Sequence, residues 1–141
     1  MKTGFLTLIT HPDHQGLVRV IIRDRLPEIK KQDDGSEIRY VARFEDIDAG
    51  MMHVQNIMHS ALVDLENRIY RGSLPQIIAT VEADYLDHSR IWMDPVLSEE
   101  NLEEIDALIK QQKASQRRTN RIWQIVGWLG LLLLVLTSLR L

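Results

Sequence analysis

The N-terminal part of the chain places apolar residues at the period of two that is typical of β-strands. Residues 5–10 (FLTLIT) form a short apolar run, and residues 17–23 put Val18, Val20 and Ile22 on one face. Residues 11–16 lie between them and contain a proline and a glycine, which favour a turn. The pattern therefore predicts a β-hairpin at the start of the domain.

A second turn signal, Asp33-Asp34-Gly35-Ser36, precedes a third predicted strand over residues 38–44. The predicted buried face of this strand consists of Ile38, Tyr40, Ala42 and Phe44. Arg39, Val41 and Arg43 alternate with them and predict a cationic outer face. Residues 26–31 are the expected pairing partner before the turn, although Pro27 confines them to an edge or a strand start.

The middle of the chain changes to a helical period. Asp46 or Asp48 is a candidate N-cap, and Gly72 is a candidate stop, so one long helix is predicted to run to about Tyr70. Its apolar positions are separated by steps of four or three residues: Ile47, Met51, Val54, Met58, Ala61, Leu65 and Ile69.

Residues 76–86 return to alternation and predict a strand, which residues 88–93 extend or follow as a further short strand. Ser98 is the predicted N-cap of a second helix that continues toward the C-terminus. We therefore predict an α+β fold: a small, mostly antiparallel sheet with one long packing helix, followed by a second helix leading into a single C-terminal transmembrane helix.

The predicted membrane span is residues 122–139, IWQIVGWLGLLLLVLTSL, which carry no charge. Eighteen helical residues rise about 27 Å, just enough for a hydrocarbon core. A buried core helix is the alternative, but the run lacks a polar face. Because only two residues follow the span, we expect a tail-anchored, single-pass protein.

Charge is divided unevenly along the chain. Residues 1–109 carry 11 basic and 20 acidic residues, a net charge of −9, whereas residues 110–141 carry six basic residues and no acidic one. We predict three parts: an acidic soluble domain over 1–109, a basic and helical juxtamembrane segment over 110–121, and the anchor over 122–141. An acidic domain repels phosphate backbones, so no nucleic-acid partner is expected.

The basic residues also predict the direction of the span. Five of them precede it and only Arg140 follows it, so the positive-inside rule places the N-terminal domain in the cytoplasm and the helix in the inner (plasma) membrane. The predicted membrane-interface residues, in contact with the lipid bilayer, are Lys110, Lys113, Arg117, Arg118, Arg121 and Trp123.

Sequence motifs for chemistry are sparse. The chain has no cysteine, no GxSxG or SxxK motif and no glycine-rich phosphate loop, so we predict no catalytic residue, no cofactor, no metal site and no small-molecule substrate. The strongest contrary signal is the pair His11 and His14, which His88 could complete as a metal site. Glu82 and Asp84 would share one face of the predicted strand over 76–86, where paired carboxylates can divide acid and base roles.

These features favour a non-enzymatic accessory subunit or assembly factor of a larger membrane protein complex. One alternative is a membrane-tethered module that recruits a cytosolic protein. The other is a metal-binding sensor or enzyme that uses His11, His14 and His88.

Overall fold

A computed structural model describes residues 2–30, 33–97 and 99–138 of the chain. The chain divides into two compact units, Met1–Ile109 and Lys110–Leu141. The elements are β1 (Gly4–Thr10), β2 (Leu17–Arg23), β3 (Glu37–Phe44), α1 (Ile47–Ile57), a 3₁₀ turn (His59–Ala61), β4 (Leu62–Asp64), β5 (Ile69–Arg71), α2 (Leu74–Glu82), β6 (His88–Met93) and α3 (Glu99–Ser138). The predicted α+β architecture with a long apolar C-terminal helix is confirmed.

Six strands form one sheet in the order β4-β5-β2-β1-β3-β6, and every neighbouring pair is antiparallel. The predicted β1–β2 hairpin is confirmed, with Leu8 opposite Val20. Gly16 and Gly35 have φ values of +77° and +83°, a backbone region that side chains with a Cβ rarely adopt. The predicted turns before β2 and β3 are therefore confirmed.

The main core lies between one face of the sheet and the helices. Alternate strand residues such as Leu6, Val20 and Phe44 point into it and meet α1, α2 and the first part of α3. The helices contribute the following buried side chains: Ile47, Met51, Val54, Ile77, Ile78, Val81 and Ile105. Helices therefore cover one face of the sheet.

A second, smaller cluster lies on the opposite face of the sheet and contains Ile9, Ile38 and Val41. The predicted assignment of Ile38 to the main core is wrong, because a register shift between Leu8 and Ile9 pairs Ile9 with Ile38. Arg39 is the extra residue of β3 at this shift, so Ile38 points to the other face of the sheet. The predicted cationic outer face is also partly apolar, since Val41 is fully buried.

The predicted pairing of residues 26–31 with β3 is wrong for the part the structure describes. Residues 24–30 form no strand, and β3 pairs with β1 and β6. Pro27 is buried and lacks an N–H group for a ladder, so this segment is a connection between β2 and β3. Lys31 lies outside the described residues.

The predicted long helix is wrong beyond Ile57. α1 begins at the predicted cap, where Asp46 Oδ1 accepts from the N–H of Ala49 at 3.2 Å. After α1, the chain forms the β4–β5 hairpin, in which Leu62 lies opposite Tyr70. Asp64 closes this hairpin by accepting from the backbone N–H of Asn67 at 3.0 Å and from its side chain at 2.8 Å. The hydrogen bonds of the Asp64 side chain therefore favour a turn, although the apolar residues continue at helical spacing.

The predicted strand over residues 76–86 is wrong, because most of that segment is α2. Ser73 Oγ caps the helix by accepting from the N–H of Gln76 at 3.3 Å, and Pro75 occupies the first turn, where its fixed φ suits a helix. Ile77, Ile78 and Val81 are fully buried. The alternation in the sequence is the result of a helix that is covered on most sides.

β6 forms over the residues predicted as a further short strand. α3 begins at Glu99, and its predicted cap, Ser98, lies outside the described residues, as do Leu139, Arg140 and Leu141. Ile105, 1% exposed, is the residue by which α3 is most deeply buried in the main core.

Candidate functional site

The C-terminal part of α3 is the one candidate membrane span among the residues that the structure describes. An 18-residue window of the helix has a mean hydropathy of 1.6, and none of it is buried. Trp123, Trp128 and the leucines from Leu131 to Leu134 are all exposed. A helix that is apolar on all sides and uncovered by protein matches the solvent properties of a bilayer core.

The predicted membrane-interface cations lie on the helix directly before this span. Lys110, Lys113, Arg117, Arg118 and Arg121 are exposed and, with Ala114, line one shallow concavity of about 350 Å³. At 3.6 residues per turn the five cations occupy an arc of about 140°. Within the described residues, no ion pair links any of them to a carboxylate, so their charge is uncompensated by this part of the chain.

The three histidines of the metal alternative do not meet. His88 lies opposite Phe44, and Phe44 lies opposite Gly4 at the start of β1. His11 follows the last residue of β1, so the full length of the strand separates it from His88. Across residues 2–30, 33–97 and 99–138, no group of three or more His, Asp or Glu side chains is placed to hold a metal ion.

His11 instead stabilises turns. Its Nδ1 accepts from the N–H of Asp13 at 3.1 Å, and its Nε2 lies 2.9 Å from the carbonyl oxygen of Asp34. Both ring nitrogens therefore have backbone partners, with the Nε2–H tautomer donating to Asp34. The ring of His14 packs beside that of His11, with 5.2 Å between the centroids. The pair ties the β1–β2 turn to the turn before β3.

Glu82 and Asp84 do not act as a pair of carboxylates, because each has its own partner. Glu82 Oε1 accepts from Tyr40 Oη at 2.6 Å and from Arg90 Nε at 2.7 Å. These two hydrogen bonds join the end of α2 to the centre of β3 and to β6. Burial by itself would raise the pKa of Glu82, but the hydrogen bonds from Arg90 and Tyr40 outweigh it and lower the pKa.

Tyr40 is a fully buried donor in this cluster. Burial, reinforced by the negative charge of Glu82, raises the pKa of the Tyr40 hydroxyl far above its ordinary value. The hydroxyl therefore keeps its proton and serves as a fixed hydrogen-bond donor. Its role is structural, since within the described residues the hydroxyl donates to the carboxylate that it helps to hold.

Asp84, two residues beyond the end of α2, lies against His53 of α1. Its side chain is only 1% exposed, and Oδ2 lies 3.1 Å from Nδ1 of His53. The two atoms are within ion-pair distance but are poorly aligned for a hydrogen bond. Oδ1 of Asp84 accepts from the N–H of Leu86 at 3.0 Å, and the edge of the Tyr85 ring lies against the imidazole. No local spacing in the sequence indicates this pair, because it depends on the packing of two helices.

An ion pair between Arg39 and Asp94 holds the end of β6. Arg39 Nε lies 3.0 Å from Asp94 Oδ2, and both side chains are mostly buried. The backbone N–H of Asp94 also donates to the carbonyl of Arg39 at 3.0 Å. Together with the Glu82 and Asp84 clusters, this pair engages the buried charged groups of the domain in contacts within it.

The fold and the exposed apolar helix define a class: an α+β domain with a six-stranded antiparallel sheet, followed by a candidate single-pass membrane helix. Comparison with protein-family models, with curated proteins and with solved structures finds no match.

Proposed function

We propose that this protein is a single-pass accessory subunit or assembly factor of a larger protein complex in the inner (plasma) membrane, with its acidic domain in the cytoplasm. The observation that carries the proposal is the uncovered apolar stretch of α3, preceded by five cations that form no ion pair within the described residues. The apolar stretch supports insertion, and the excess of cations on its N-terminal side supports the orientation.

The properties of the domain support a role in protein contacts rather than in chemistry. Its buried charged side chains are occupied in the Glu82, Asp84 and Asp94 clusters, whose partners all lie within the domain. Its outer surface carries most of a net charge of −9 in residues 1–109. A surface of this kind fits basic protein partners through electrostatic complementarity.

Purification from native membranes in mild detergent tests this proposal. We expect the full-length chain to elute with at least one partner in fixed stoichiometry, and deletion of residues 110–141 to abolish that association. A chain that elutes alone from a range of mild detergents would contradict the subunit role.

The edge of the sheet favours a second candidate, a tethered module that recruits a cytosolic protein by strand addition. β6 stands at one end of the strand order, and Ile91 lies exposed at its register shift. A recruiter would still bind its partner after deletion of residues 110–141. Its binding would be lost on Ile91→Asp and kept on Leu26→Asp, a matched substitution of an exposed apolar residue outside the sheet.

A further inference from the structure

The cations of α3 differ in type along the helix axis. The three nearest the apolar stretch are arginines, Arg117, Arg118 and Arg121, and the two farther from it are lysines. All five are exposed and share one face, but they differ in their distance from the predicted first lipid-facing residue, Ile122.

The rise of about 1.5 Å per helical residue gives the depth of each cation relative to the bilayer. For a helix along the bilayer normal, Arg121, Arg118 and Arg117 lie about 1.5, 6 and 7.5 Å above Ile122. Lys113 and Lys110 lie about 13.5 and 18 Å above it. The headgroup layer on each side of a bilayer is about 5–8 Å thick. The arginines therefore fall within the headgroup layer, and the lysines fall beyond it.

The type of side chain fits this division. A guanidinium group donates two parallel hydrogen bonds to a phosphate and is weakly hydrated, so it suits a fixed phosphate contact at an interface. An ammonium group is a strongly hydrated point charge. The arginines also lack a carboxylate partner within the described residues, so phosphate oxygens would be their counter-charge.

We propose that Arg117, Arg118 and Arg121 form a binding site for the phosphate groups of anionic phospholipids, and that Lys110 and Lys113 lie outside this site. The proposal rests on the membrane anchor proposed above and adds its ligand. The site would enrich anionic lipid around the anchor through local contacts within the headgroup layer, rather than through the summed charge of the segment.

Trp123 provides a built-in reporter, because it lies two residues from Arg121. The full-length chain carrying Trp92→Phe and Trp128→Phe leaves it as the single tryptophan. This chain is reconstituted in phosphatidylcholine vesicles that contain a minority of phosphatidylglycerol. Quenching of Trp123 fluorescence is measured in two preparations, one with the bromine label on phosphatidylglycerol and one with it on phosphatidylcholine. The ratio gives the enrichment of the anionic lipid at the anchor.

Two double variants that each remove two charges provide the matched comparison. We expect about fivefold or greater enrichment of phosphatidylglycerol in the parent chain, as one favourable headgroup contact would give. R117Q/R118Q keeps only Arg121 and should reduce the enrichment by at least about twofold, whereas K110Q/K113Q should leave it nearly unchanged. R117K/R118K should give an intermediate value, because it keeps the charge but loses the paired donors.

Equal losses in R117Q/R118Q and K110Q/K113Q would overturn the proposal in favour of summed charge. Displacement of the lipid by inorganic phosphate at constant ionic strength would overturn it in favour of a free-phosphate site. Normal quenching of Trp123 with no lipid preference would refute the site and leave the anchor standing. Absence of quenching by either lipid would instead refute the anchor itself.

Discussion

The hydroxyl of Tyr40 lies 2.6 Å from Oε1 of Glu82, so a side chain in the middle of β3 is hydrogen-bonded to the last residue of α2. Tyr40→Phe removes this donor and leaves the hydrogen bond from Arg90 to the carboxylate. Because hydrogen bonds to charged groups are worth more than neutral ones, we expect a loss of about 1.5–3 kcal/mol in the free energy of unfolding.

The measurement is urea unfolding of the detergent-solubilised chain, followed by Trp92 fluorescence with Trp123 and Trp128 replaced by phenylalanine. Tyr85→Phe is the control, since the Tyr85 ring is mostly exposed. If Tyr40→Phe costs no more than Tyr85→Phe, the bond to Glu82 has no weight in the fold.

The lowered pKa of Glu82 predicts a dependence of stability on pH. A carboxyl whose pKa is lower in the folded state contributes stability above its ordinary value of about 4.5 and loses it as pH falls through the folded pKa. The difference in unfolding free energy between the parent chain and Glu82→Gln should therefore be constant near neutral pH and shrink in acid. A difference that grows as pH falls would contradict the ionised state of Glu82.

Gly50 lies on the buried side of α1, against the ring of Phe44. A Cβ at this position would stand 2.6 Å from Cδ1 and 2.9 Å from Cε1 of Phe44. Gly→Ala inside a helix ordinarily stabilises it by about 1 kcal/mol. Here the ring is fully buried and stacked on His88, so we expect Gly50→Ala to cost about 1–3 kcal/mol.

Thermal unfolding of Gly50→Ala, Phe44→Leu and the double variant tests the cause. The smaller leucine should relieve the contact, so the double variant should lose less stability than the two single losses together. Strict additivity would mean that the contact with Phe44 is not the source of the cost.

His53 is the partner of a carboxylate that is 1% exposed. His53→Leu removes the side chain beside Oδ2 of the buried Asp84 and keeps the bond from the N–H of Leu86, and we expect a loss of about 2 kcal/mol or more. His53→Leu with Asp84→Asn should recover part of that loss, because a neutral amide then replaces the carboxyl group that has lost its partner. A double-mutant cycle in urea measures the coupling, and a coupling near zero would mean that the two side chains are close without stabilising each other.

Turn chemistry made the first half of the sheet predictable. Gly16 and Gly35 occupy left-handed turns, and the strands beside them alternate as expected. The period alone failed further on, because Leu65 and Ile69 continue the spacing of α1 while Asp64 and Asn67 turn the chain into a hairpin. For α2, Ser73 followed by Pro75 indicates the start of a helix, whereas the alternation of the buried residues wrongly predicts a strand.

The candidate site divides in the same way. The apolar run and its cations are local features, so the sequence shows them directly. Tyr40 and Glu82 are 42 residues apart in the sequence, and their hydrogen bond requires α2 to pack on the sheet. The contact between His53 and Asp84 requires two helices to meet in the same way. The prediction of a strand over residues 76–86, most of which form α2, placed Glu82 and Asp84 on the wrong element, so neither contact could be predicted.

The most direct test of the proposed anchor and its orientation uses the absence of cysteine from the chain. Ser89→Cys places one thiol on the exposed surface of β6, and Leu141→Cys places one beyond the predicted span. Each variant is treated with a membrane-impermeant maleimide in intact spheroplasts and again after permeabilisation. We predict that Leu141→Cys is labelled in intact spheroplasts and that Ser89→Cys is labelled only after permeabilisation. Labelling of Ser89→Cys in intact spheroplasts would contradict the cytoplasmic domain, and loss of both variants to the soluble fraction would contradict the anchor.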